Sequence, residues 1–387
     1  MFTDIGKVVS TKRNGNSFDF TCANGCVRLQ VLSDCIVRVR ATQASDFGPD
    51  FSYAVGKTKW PKVNATVRVG KTVTITTKKV AVTIGKSPLR ITFATADGQV
   101  LNADEPARGM GWEGPKGRSY RQLAGDEMFF GCGEKTGMMN KRGQEFPFWN
   151  KDDPNHTYAT GAIYVSIPFL ISTRPGAHYG IFWDNTHRTH FNLGQVEDEK
   201  HYILEADAGE IDYYFFAGNS IREVVRGYTE LTGRMWMPPR WALGFQQCRW
   251  SYMSADEIME IAKEFRKRKI PCDVIYCDID YMDGYRVFTW NPKTFPNPGG
   301  MLQTLGKMGF KVVTIIDPGV KNDDGYIVCR DGKEKGMFLK KPDGSWFTGN
   351  VWPGECVFPD FTSRRVRQWW GPWHKDLLDV GVPVSEA

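Results

Sequence analysis

Nowhere in these 387 residues does an apolar stretch run long enough to cross a membrane. The opening MFTDIGKVVS has no charged region followed by an apolar one, so it does not read as a signal peptide. Nine cysteines, an odd number, fall at irregular spacing. Cys22 and Cys26 form a CxxxC, yet no second pair and no histidine cluster completes a zinc site. Several of the other cysteines sit inside apolar runs, where free buried thiols are common. Together these absences argue against a membrane protein, a disulfide scaffold and a metal centre, and they point to the cytoplasm. The net charge is +6, but lysine and arginine are scattered. A short basic run such as KEFRKRK (263 to 269) reads as the solvated face of a helix, and no nucleic-acid footprint is seen. No internal repeat or low-complexity segment breaks the pattern.

What the chain does have is aromatic surface: 13% of residues, with 13 tryptophans. Large flat rings beside carboxylates suit sugars, whose C–H faces stack while their hydroxyls hydrogen-bond. Rings filling a large core would give the same composition.

Two rhythms divide the chain. Up to about residue 235 it reads as short strands between Gly, Asn and Asp turns: CVRLQVLSDCIVRVRA (26 to 41), TVTITTKKVAVTI (72 to 84) and DYYFFAG (212 to 218). This predicts an antiparallel β-sandwich over 1–235. A helix over 220–233 and the pair Pro238-Pro239 follow as a hinge. From 236 to 387 the pattern alternates. WALGFQ (241 to 246), DVIYC (273 to 277) and KVVTIID (311 to 317) read as buried parallel strands. Helices are expected at 254–267, near 301–308 and over 362–382, the last interrupted by Gly371-Pro372. Ser254 and Glu257 have capping-box spacing. The segment from about 319 to 361 reads as an insertion after the third strand. That gives about three βα units of a barrel.

In such folds ligands gather where the strands end. Gln246 to Trp250, Asp278 to Asp283 and Asp317 occupy those ends. VIYCDIDYMDGY (274 to 285) puts three aspartates directly behind an apolar run. Asp280 and Asp283 fit turn hydrogen bonds, and Asp278, first out of the strand, fits a site. Neighbouring strands lie about 4.8 Å apart, close to the separation of about 5 Å at which two carboxyls cleave a glycosidic bond with retention. Residue chemistry alone therefore nominates Asp278 with Asp317, while Asp317 before Pro318 also fits a backbone hydrogen bond. DxDxxD lacks the Gly and bidentate Glu of a calcium loop.

FFGCGEKTGMMNKRGQEFPFWNKD (129 to 152), YGIFWDNTHRTHFNLG (179 to 194), MPPRWALGFQQCRWSY (237 to 252), CDVIYCDIDYMDGYRVFTWN (272 to 291) and VWPGECVFPDF (351 to 361) occur in order. Together they resemble glycoside hydrolase family 31, from about residue 125 to 382. The resemblance implies a β-sandwich N-terminal domain followed by the first part of a (β/α)8 TIM barrel. It also implies a retaining α-glucosidase-like activity on terminal α-linked glucose of oligosaccharides, without cofactor. It reassigns Asp278 from chemistry to binding sugar hydroxyls. Trp352 and Ile316 would line the same pocket, beside Asp317, with Trp250 near its floor. Asp152 would reach the sugar from a loop of the first domain.

The family's nucleophile follows a DVGVDG-like approach in a WxDMNEP-like motif. Here DVGV (379 to 382) is followed by PVSEA. The resemblance therefore places the nucleophile and the acid/base beyond Ala387, leaves the third strand with an open edge, and implies a chain inactive alone. The alternatives are a non-catalytic carbohydrate-binding or complementing subunit, or another activity of the family: α-xylosidase, transglucosidase or lyase. A complementing C-terminal part or a homo-oligomer is the partner this implies.

Overall fold

Val80, Val82 and Ile84 are buried while Ala81 and Thr83 between them are only half so, the period of a strand with one face in a core. Val82 sits opposite Ile75 and Phe93, and Ile84 opposite Val73 and Ile91. Thr77 follows the preceding strand, its hydroxyl accepting the N–H groups of Lys79 and Val80 at 3.2 and 3.0 Å. TVTITTKKVAVTI is thus a hairpin, Thr72–Thr76 and Val80–Lys86.

The computed structural model describes residues 1–195, 200–382 and the backbone of 384–386. They divide into two units, Met1–Met235 and Trp236–Ala387. In the first, antiparallel sheets of eight, six and five strands share one apolar core, to which Val37, Val82, Trp112, Phe191 and Phe215 belong. The central strands Ile36–Thr42 and Ile211–Gly218 are buried along almost their whole length. Their second face is covered by helix Ile221–Thr232, whose Val224 and Leu231 pack with Ile36, Phe182 and Phe216. Arg38 on that face pairs with Asp212 at 2.7 Å. Inside the sandwich, Arg121 and Asp104 are both fully buried and lie 3.1 Å apart. Breaking such a pair typically costs about 3–5 kcal/mol, because one charge is left alone.

The second unit is built on a parallel sheet in the order Gln246–Gln247, Val274–Cys277, Lys311–Ile315, Val384–Glu386. Helix Ala255–Lys267 starts at Ser254, whose hydroxyl accepts the Glu257 N–H at 3.2 Å. Glu257 answers on the N–H of Met253 at 2.7 Å. Helix Pro298–Lys307 starts at Asn297, whose side chain accepts the Gly300 N–H at 3.0 Å. The interrupted C-terminal helix is Arg364–Trp370, a 3-10 turn over Gly371–His374, and Lys375–Val380.

Three expectations are corrected here. WALGFQ is not a strand: Arg240–Leu243 winds as a 3-10 turn after Pro239, and only Gln246–Gln247 pairs. Pro239, at φ −65, suits a helical start. A side chain at Gly244 would meet Asp273 Oδ2 at 1.8 Å, so the chain bends there. The third strand does not keep an open edge, since Val313, Thr314 and Ile315 pair with Val384, Ser385 and Glu386. The sheet therefore holds a fourth strand beyond the three expected. Nor is the basic run wholly solvated. Arg266 lies 3.6 Å over the Phe310 ring and donates to the carbonyls of Met308 and Cys272 at 2.8 and 2.9 Å.

Between Asp317 and the last helices, Val320–Lys321, Gly354–Val357 and Thr348–Val351 form a small antiparallel sheet. Helix Ile327–Glu334 accompanies it.

Candidate active site

Asp278 leaves the strand Val274–Cys277 in extended conformation, its carboxylate accepting the N–H of Ile279 at 2.7 Å. The next residues wind into two 3-10 turns, Ile279–Tyr281 and Asp283–Tyr285. Asp280 and Asp283 have local partners. Asp280 accepts from the Tyr285 hydroxyl at 3.1 Å, and Asp283 lies 3.8 Å from Arg286. Both behave as turn residues.

Two hydrogen bonds hold this turn to its neighbours, and neither residue was singled out from the sequence. The buried Tyr281 hydroxyl donates to the carbonyl of Ile315 at 2.9 Å, tying the turn to the end of the third strand. The N–H of Asp280 donates to the buried Ser251 hydroxyl at 3.3 Å, tying it to the loop that carries Trp250. A signal for Tyr281 was available, since it is an aromatic residue inside a polar turn behind a core strand. Ser251 had none.

Asp317 follows the third strand and is half-buried. Among the described residues no hydrogen bond or ion pair reaches its carboxylate. Burial first, and the negative charge of Asp278 second, hold its carboxyl above the usual carboxylate range. Ile316, next to Asp317, is 2% exposed and packs in the core of the unit.

Trp352 sits at the tip of the hairpin Thr348–Val351 and Gly354–Val357. It is 61% exposed and its ring centre lies 6.4 Å from that of Trp250, which is 73% exposed. A side chain at Gly319 would meet Val351 Cγ2 at 2.7 Å. Glycine there lets the hairpin pack onto the segment leaving Asp317. The structure thus links Trp250, Asp278, Ile316, Asp317 and Trp352 within one unit. Asp152 belongs to the other unit and is exposed, outside its strands. Among the described residues no group of three or more His, Cys, Asp or Glu is placed to hold a metal ion. No helix among them is long and apolar enough to cross a membrane.

Residues 235–385 match the TIM-barrel domain of the glycosyl hydrolases family 31, and residues 26–192 match the family's N-terminal galactose mutarotase-like domain. Alpha-glucosidase 2 of Bacillus thermoamyloliquefaciens is 39% identical over 390 residues, covering 98% of this chain and 48% of the relative. Neutral alpha-glucosidase AB of Homo sapiens is 34% identical over 272 residues, covering 64% of this chain and 29% of the relative. A GH31 dextranase of Flavobacterium johnsoniae, solved as a mutant with isomaltotriose, superposes with TM-score 0.93 at 36% identity. That match covers 99% of this chain and 47% of the dextranase chain. The chain thus spans about half the length, or less, of the relatives it matches.

Both domain matches come from one class, the glycosyl hydrolases. Within that class the chain belongs to family 31.

Proposed function

We propose that residues 1–387 bind terminal α-linked glucose at the strand ends, as the sugar-recognising part of a retaining α-glucosidase-type hydrolase. The observation that carries this is that Asp278 and Asp317 leave the ends of adjacent parallel strands, Asp317 half-buried, in the unit that also exposes Trp250 and Trp352 with ring centres 6.4 Å apart. The Asp278 carboxylate accepts hydrogen bonds from neighbouring sugar hydroxyls, a charge-assisted contact. Trp352 and Trp250 offer apolar faces to the C–H side of the ring. Asp317 completes the polar wall and Ile316 supports it from the core. In the cleavage itself one carboxylate attacks the anomeric carbon as a second gives its proton to the leaving oxygen, and water then releases the sugar. We assign neither carboxylate to residues 1–387. The nine free cysteines support a reducing, cytoplasmic setting.

A second reading rests on the same pair. Two carboxyls at the ends of adjacent strands are also what a retaining cleavage uses, so in this reading Asp278 and Asp317 cleave the bond themselves. An aryl α-glucoside assay on the pure 387-residue protein separates the two. The proposal expects sugar binding without release of the aryl group. Turnover that disappears in Asp278→Asn would establish the second reading instead.

A further inference from the structure

A cleft of about 480 Å³ opens in the first unit between the segment 135–146 and residues 158–161. Three cationic side chains converge on it or stand behind it. Lys135 lines the cleft, half-buried, with its Nζ donating to the Pro147 carbonyl at 2.9 Å and lying 4.9 Å from the centre of the Phe148 ring. Behind it Lys141 is 4% exposed, its Nζ donating to the carbonyls of Thr136 and Lys135 at 2.8 and 3.5 Å. Arg142 also lines the cleft and uses one guanidinium nitrogen on the carbonyls of Ala124 and Glu127, at 2.6 and 2.9 Å.

Among the described residues no carboxylate lies within 4.0 Å of these three cations. Gln195 also lines the cleft, and among the described residues Glu145 is the one acid on its wall. Its carboxylate accepts from Asn192 at 3.0 Å and lies 3.9 Å from His190 Nε2. Exposed Glu134 influences Lys135 less than burial, Cys132 or Lys141 does. The backbone N–H groups of Thr136, Gly137 and Met138 donate to no protein group among the described residues.

Burying cations without a counter-charge is unfavourable. Burial accordingly pushes Lys135 down to about 8 and lowers Lys141 as well. Carbonyl dipoles compensate only in part. An anion in the cleft would supply the missing charge, accept the unused N–H groups and meet the free edge of a guanidinium fork. The cleft is also larger than one tetrahedral anion needs.

We propose that this cleft binds a phosphate group, carried by a phosphorylated sugar or free in solution. The test follows how fast a limiting acetylating reagent modifies Lys135, read peptide by peptide by mass spectrometry. Inorganic phosphate, glucose 1-phosphate and glucose are the three probes, each added to the 387-residue protein. The expected result is that both phosphates slow modification of Lys135 about tenfold near 1 mM, with other lysines unaffected and glucose without effect. Glucose 1-phosphate acting at lower concentration than phosphate would identify the sugar-bound group as the ligand; equal potency would identify free phosphate. Arg142→Gln, confirmed to melt as wild type does, should need about tenfold more phosphate. The proposal is overturned if neither phosphate protects Lys135, if glucose protects it equally, or if all lysines are protected alike.

Discussion

The Tyr281 hydroxyl donates to the carbonyl oxygen of Ile315 across 2.9 Å, joining the turn that presents Asp278 to the strand that delivers Asp317. Both partners lie at the carboxyl ends of adjacent parallel strands, whose register sets Cys277 against Thr314. The bond therefore sets the relation of the two carboxylates more directly than the sheet alone.

Tyr281→Phe keeps the ring on Trp290, at 4.8 Å between centres, and removes only the hydroxyl. Loss of one buried hydrogen bond should lower stability by about 1 kcal/mol, measured by urea denaturation. Sugar affinity should fall with it, because Asp278 loses its anchor. An unchanged affinity would show that the turn is held by other means.

The raised Asp317 carboxyl makes a pH prediction with a definite sign. The folded state keeps this proton at pH values where the unfolded chain has lost it. Stability therefore falls as pH rises from the ordinary carboxylate range, about 4, through the raised folded value, and does not recover above it. Asp317→Asn cannot ionise and should gain on wild type above that window but not below it. Asp278→Asn removes the second cause and should bring Asp317 partly back toward its ordinary range. Parallel stability curves for wild type and Asp317→Asn across pH would refute both statements.

Gly319→Val places a side chain where the hairpin packs, 2.7 Å from Val351 Cγ2 at its first atom. Overpacking of this kind costs about 1–3 kcal/mol. Because the hairpin carries Trp352, sugar affinity should drop more than in Gly336→Ala, whose glycine has open space around it but φ +65. Equal effects of the two changes on binding would mean the hairpin is not positioned through Gly319.

The residues that point to the candidate site are those whose pattern reflects local physics. VIYC (274 to 277) is apolar and unalternating because a strand covered on both faces must be, so Asp278 stands out as the first charge after it. Ser254 with Glu257 marked a helix start that the backbone uses. What escaped were features decided by tertiary pairing. Gln246–Gln247 is two polar residues made a strand only by its neighbour at Val274 and Ile275. Val384–Glu386 is only three residues long and is a strand because Val313 to Ile315 offer an edge. Arg266 reads as solvent-facing until Phe310 is known to lie beneath it. The Lys135, Lys141 and Arg142 cluster looked like scattered charge for the same reason.

The central claim is that the strand-end aspartates and tryptophans hold a sugar. Its most direct test is titration of the 387-residue protein with isomaltotriose and maltotriose, following tryptophan fluorescence. A saturable change is expected in wild type, weakened at least about tenfold, or 1.4 kcal/mol, in Asp278→Asn and in Trp352→Ala, with neither variant melting below wild type. A wild-type protein that shows no saturable change, or an Asp278→Asn variant that binds as wild type does, would contradict the assignment.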